Sequence, residues 1–175
     1  MTTLTNPLLA SWLGRFREAP FDQIQTEHYR PAIEKALEMA RENLKNLRED
    51  RSEPTFENTI LALETLSEPL DRASGVFFNL VEAESNDEMR NLAKELSPLI
   101  SAFANDLQLD PVLFERVKVV YEKRAQWKLN IEQARLLEKS YKSFTRNGAL
   151  LGESAKSRLR ELDQELARLA PQYSD

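Results

Sequence analysis

The apolar positions recur at helical spacing along most of the chain. Ile33, Leu37, Ala40, Leu44 and Leu47 follow one another at intervals of 4, 3, 4 and 3, with Glu34, Glu38, Arg41, Glu42 and Lys45 between them. That is one apolar stripe on a helix beginning near Thr26, the expected cap. A second helix opens at Pro54-Thr55, with Thr55 as N-cap, and carries Phe56, Ile60, Leu63, Leu66, Leu70, Ala73, Phe77 and Leu80 inward. Pro69 lies inside this pattern and should kink or split it. Ser85 or Asn86 caps a third helix with Met89, Leu92, Leu96, Leu99, Phe103 and Leu107 inward, interrupted by Pro98.

Asp110-Pro111 opens a fourth helix with the stripe Leu113, Phe114, Val117, Val120 and Tyr121. Asn130 caps a fifth, with Ala134, Leu137, Tyr141 and Phe144 inward, and Asn147-Gly148 stops it. A sixth begins near Gly152 or Glu153 and carries Ala155, Leu159, Leu162, Leu166, Leu169 and Tyr173 in a coiled-coil-like row. Residues 1–25 show no clean period and read as an arm that packs onto a body through Leu8, Leu9, Trp12, Leu13, Phe16, Phe21 and Ile24. The expectation is therefore all-α: about six antiparallel helices over 26–175, joined by short connections, with an irregular N-terminal arm over 1–25.

Composition agrees. There are 27 Leu against 6 Val and 5 Ile, and only four Gly, too few for a turn-rich β fold of 175 residues. No run of about 18 apolar residues occurs, and Arg15 and Arg17 follow the first apolar stretch rather than precede it. Neither a membrane span nor a secretory signal is expected, and the default is a soluble cytoplasmic protein. A net charge of −5 argues against a nucleic-acid or anionic-membrane partner.

Candidate chemistry is sparse. With no Cys and one His, the chain holds no thiolate site, no disulfide and no H-E-x-x-H pair. His28 reads as a first-turn histidine. Glu82, Glu84, Asp87 and Glu88 lack the spacing of a calcium loop and read as a solvated helix start. Phe77-Phe78 reads as core or a docking face, and Lys118, Lys123, Arg124 and Lys128 with Tyr121 and Trp127 as ordinary surface. No catalytic, cofactor-binding or metal-ligating residue is assigned.

Five segments in register do carry a resemblance. They are Phe21 to Ala32, Pro54-Thr-Phe-Glu-Asn-Thr-Ile60, Leu70 to Leu80 followed by Ser85-Asn-Asp87, Leu136 to Ala149, and Leu159 to Ser174. Together they resemble the N-terminal region of oligopeptidase A and its relatives, the thimet-type zinc oligopeptidases that include peptidyl-dipeptidases. The resemblance implies an all-helical enzyme about four times this length, whose halves enclose a channel for short peptides. Its zinc would be held by H-E-x-x-H and a later Glu in the C-terminal part, so none of those residues carries over to this chain.

What carries over is a structural role in the channel wall, with the C-terminal catalytic part of the same chain and short peptides as partners. The piece itself is expected to be inactive and free of cofactor. Pro69 departs from the family's long second helix. A chain cut from its partner half should also expose apolar surface and associate through it. The alternative is a free-standing helical interaction module without enzymatic activity. An enzyme with an unrecognised carboxylate site is a third reading, with less behind it.

Overall fold

The computed structural model describes residues 6–12, 16, 18–84 and 86–170. Expectations resting on Leu13, Ser85 and Tyr173 lie outside the described residues. Among those described, all regular structure is helical, as the sequence implied: α1 (Thr26–Glu49), a π-helical turn (Phe56–Leu61) running into α2 (Ala62–Thr65), α3 (Glu68–Glu84), α4 (Asp87–Gln108), α5 (Pro111–Glu122), a short 3-10 turn (Arg124–Gln126), α6 (Ile131–Arg146) and α7 (Glu153–Leu169).

The starts of these helices are written in side chains. Thr55 accepts from the backbone N–H of Asn58, Asn86 from Met89, Asp110 from Val112 and Leu113, and Asn130 from Gln133. One cap differs from expectation. At α1 the N-cap is Gln25 rather than Thr26, and the Gln25 N–H donates to Nδ1 of His28 at 3.0 Å. A side chain three residues into the helix thereby satisfies the cap's own N–H.

The expected second helix is divided. It begins as a π turn, breaks at Leu66–Ser67, and restarts with Pro69 in the first turn of α3, where a missing N–H costs nothing. Pro98, by contrast, lies inside the unbroken α4.

The core is one cluster drawn from α1, the π turn, α2–α3, α4, α5 and α6. Ala32, Ile33, Ala36, Leu37 and Ala40 make α1 its central rod, with α3 and α4 against it. Small residues at 32, 36 and 40 let those helices approach closely. Tyr29 meets Phe77 at 4.9 Å between ring centroids, and Asn43 Nδ2 donates to the Leu66 carbonyl at 3.0 Å, so α1 and α3 run antiparallel. On the other side α5 and α6 pair through stacked rings, Tyr121 on Tyr141 at 4.0 Å with Phe114 beside Tyr141 and Phe144.

In the N-terminal region Leu8 and Ile24 are buried, while Phe16 and Phe21 are exposed. Asn6 Nδ2 donates to the His28 carbonyl at 2.8 Å, and the Arg72 guanidinium lies 4.9 Å over the Trp12 ring.

Five expected core positions are exposed: Leu99, Ala134, Ala155, Leu162 and Leu166. Leu99 is exposed because it sits at the margin of the α4 stripe, past the arc that meets α1. Ala134, on the first turn of α6, lies ahead of the point where that helix reaches α5. The largest departure is α7. None of its residues belongs to the core cluster, and Ala155, Leu162 and Leu166 are exposed.

The rotation of α7 explains this. At about 100° per residue, Ala155, Leu159, Leu162, Leu166 and Leu169 fall in a sector of roughly 80°. On a sector turned by roughly 100° from the leucines lie Lys156, which is buried, and Asp163 and Ala167, which are half-buried. α7 packs on α4, and its Leu159 and Asp163 share a cleft lining with Ser101, Ala104, Asn105 and Gln108 of α4. The leucine row is left beside the seam rather than in it.

Candidate functional site

Two places concentrate polar groups under cover. The first is built on the most specific of the five segments, Pro54 to Ile60. Thr55 N–H donates to Asn58 Oδ1 at 2.7 Å, Asn58 N–H returns to Thr55 Oγ1 at 3.1 Å, and Asn58 Nδ2 donates to Ser52 Oγ and the Glu53 carbonyl. Phe56, Thr59 and Ile60 are buried beneath.

Arg116, itself buried, enters this knot from α5. Its Nη1 donates to the carbonyls of Asp50 (2.7 Å) and Ser52 (3.2 Å), and its Nη2 to Asp50 Oδ2 (2.9 Å) and Asn58 Oδ1 (3.3 Å). Bonds from the Ser52 hydroxyl and N–H, and then the Arg116 charge, hold the Asp50 carboxyl below its ordinary range. Every group here except Arg116 Nε is occupied by another. The arrangement fastens the 50–58 loop to α5 and leaves no donor set for substrate.

The second place is a cleft of about 700 Å³ where α4, the α6–α7 turn and α7 converge. Ser101, Asn105 and Gln108 line one side, Thr145, Arg146 and Asn147 the end of α6, and Leu150, Leu151 and Leu159 the apolar margin. Gly148 sets its floor at φ +99°, a conformation that disfavours any side chain. A Cβ there would lie 2.8 Å from Leu159 and 3.1 Å from Leu109 and Leu151. Asn105 is only 8% exposed, and its Nδ2 has no hydrogen-bond partner. A buried amide donor left open costs about 1–3 kcal/mol. The α4–α7 seam is itself thinly bonded: Ser101 Oγ reaches the Asp163 carbonyl at 3.5 Å.

The groups singled out from sequence fall elsewhere. His28 Nδ1 is engaged at the α1 cap. Phe77 is fully buried between Tyr29 and Phe78, so it is core. Asp87 pairs with Arg90 at 2.5 Å, beside the Asn86 cap, and Glu82, Glu84 and Glu88 form no cage with it. Lys118 pairs with Glu115, Lys123 with Glu53 at 2.6 Å, and Arg124 lies over Tyr121, which is paired surface.

Among the described residues no group of three or more His, Asp or Glu could hold a metal ion. Among the described residues a zinc therefore finds no ligand set. No described helix is long and apolar enough to cross a membrane.

Sequence reasoning missed Asn105, Arg116 and the buried Lys156. For Arg116 a signal existed: a lone cation on the same arc as Leu113, Val117 and Val120 needs a partner waiting inside. For Asn105 and Lys156 none did, because both face a seam whose rotation the sequence does not specify.

A family profile described as the neurolysin/thimet oligopeptidase N-terminal domain matches residues 33–156. Dipeptidyl carboxypeptidase of Escherichia coli (strain K12) is 36% identical over 174 residues, 99% of this chain and 25% of that protein. The Salmonella typhimurium dipeptidyl carboxypeptidase is 35% identical over 170 residues, 97% of this chain and 25% of its own length. Oligopeptidase A of Escherichia coli (strain K12) is 26% identical over 172 residues, 98% of this chain and 25% of its own. The chain thus spans about a quarter of the length of these relatives.

Proposed function

The chain belongs to the neurolysin/thimet oligopeptidase N-terminal domain family, and on that premise we propose that it is the non-catalytic helical part of a cytoplasmic zinc metallo-oligopeptidase. Its role is to form part of the wall of a channel that admits short peptides. The catalytic zinc and its ligands belong to the C-terminal part of the same polypeptide.

The observation that carries this reading is the extent of the match: nearly every residue of the chain aligns, and it does so with a quarter of each peptidase. The donor inventory is consistent, since the one imidazole is committed to a helix cap. Identity of 36% to a dipeptidyl carboxypeptidase against 26% to an oligopeptidase A favours release of dipeptides from peptide C-termini over internal cleavage.

The test is peptide hydrolysis by the full-length protein and by residues 1–175 alone, each with zinc. Full-length turnover that a chelator abolishes, with dipeptide products and none from the isolated piece, supports the proposal. Turnover by residues 1–175 alone, or a zinc-loaded full-length protein that cleaves no peptide, overturns it.

A further inference from the structure

We infer that the cleft at the α6–α7 turn, together with the leucine row of α7, is the seat of another segment of the same polypeptide. That segment is apolar and presents a hydrogen-bond acceptor to Asn105. The inference rests on the reading above in one respect, that the chain is part of a longer peptidase.

Three observations converge on this face. Leu150 (69% exposed), Leu162 and Leu166 (62%) leave apolar surface uncovered along the cleft margin and the helix beside it. Leu159 belongs to both the cleft lining and the row, so the two are one surface. Within it Asn105 lines the cleft at 8% exposure, and its Nδ2 has no hydrogen-bond partner. A surface of this kind is incomplete: its apolar part asks for cover, and its one dry donor asks for an oxygen.

The choice of occupant follows from length and position. The relatives are about four times as long as the stretch that aligns, so most of such a polypeptide lies outside these residues. α7 is the last described helix, and its leucine row runs to its final residue, Leu169. Cover by the same polypeptide also carries no concentration cost, unlike a second copy. The α6–α7 turn, held by Gly148, offers a rigid edge against which such a segment seats.

Single cysteines report the cover directly, because residues 1–175 contain none of their own. Leu150→Cys and Leu166→Cys are made in the full-length protein, and maleimide labelling at each site is followed by peptide mass, native and unfolded. Peptide hydrolysis is measured on the same samples. At the exposures seen here a native cysteine would react nearly as fast as an unfolded one. Seating by the same polypeptide predicts at least tenfold slower native labelling at both sites, independent of protein concentration. Labelling at the unfolded rate overturns the inference, and protection that fades on dilution assigns the face to a second copy and overturns it equally.

Adding Asn105→Leu to the Leu166→Cys protein tests the acceptor. Faster native labelling at 166 is expected, and an unchanged rate removes Asn105 from the seat. Because hydrolysis is read separately, an active protein with unprotected cysteines fails only this inference. An inactive protein with protected cysteines fails only the peptidase reading.

Discussion

Arg116 and Asp50 lie 66 positions apart and hold each other twice: the guanidinium takes the Asp50 carboxylate through Nη2 at 2.9 Å and the Asp50 backbone carbonyl through Nη1 at 2.7 Å. One side chain thereby closes the loop between α1 and the π turn against α5. Replacing it with Met leaves two carbonyls without this donor and the Asp50 carboxylate with only its Ser52 bonds. Arg116→Met should cost about 2–3 kcal/mol in urea unfolding, seen as a lower midpoint at unchanged slope. Arg116→Lys should recover less than half, because a single ammonium cannot span the fork's four acceptors.

Acid should loosen the same region. Asp50 is held low by Ser52 and then Arg116, Glu53 by Lys123, and Glu138 by Lys142. Each folded-state carboxyl releases its proton more readily than the unfolded one, so each contributes stability that is complete only above the unfolded carboxyl range, from about pH 5 upward. That contribution is lost as pH falls through the lowered folded values. Urea midpoints measured from pH 6 down to pH 2.5 should therefore fall in acid, and Asp50→Asn should flatten the fall. An equally steep fall in that variant would show that Asp50 is not among the responsible groups.

The adjacent phenylalanines should separate cleanly. Phe77 is fully buried against Tyr29, whereas Phe78 is only half covered. Phe77→Ala should lose about 4 kcal/mol and Phe78→Ala about 1–2 kcal/mol by chemical denaturation.

Gly148 is held at φ +99° beneath the side chains of Leu159, Leu109 and Leu151. Gly148→Ala should destabilise by at least about 1 kcal/mol, and Gly75→Ala, where no atom lies within 4 Å of the added methyl and the backbone is helical, should be neutral or stabilising. Thermal unfolding of the two variants side by side checks the contrast.

What the sequence disclosed and what it withheld divide along a physical line. Caps at Thr55, Asn86, Asp110 and Asn130 are local events between a side chain and the next turn, so four residues suffice to read them. The stripes of α1 and α5 were legible because each has a single apolar arc and one place to bury it. The π turn was not, since an extra residue in one helical turn leaves the apolar spacing of Phe56 and Ile60 nearly unchanged. The rotation of α7 was hidden for a different reason. Its leucine row announces a buried helix, but α4 leaves Leu162 and Leu166 exposed. The Arg116 knot was half visible: the segment from Pro54 to Ile60 stood out, while the cation it waits for arrives from 58 residues beyond Asn58.

The absence of any α7 residue from the core also sets a clock. α7 can lift from α4 without uncovering Phe77, Leu96 or Leu113, so its opening is a local event cheaper than unfolding the whole. Amide hydrogens of residues 157–168 should exchange with deuterium through that opening, while those of Leu37 and Leu96 wait for global unfolding. On this scale α7 behaves as an outrigger lashed to the hull by one seam, and whatever settles on its leucines slows its exchange before it changes any other part of the protein.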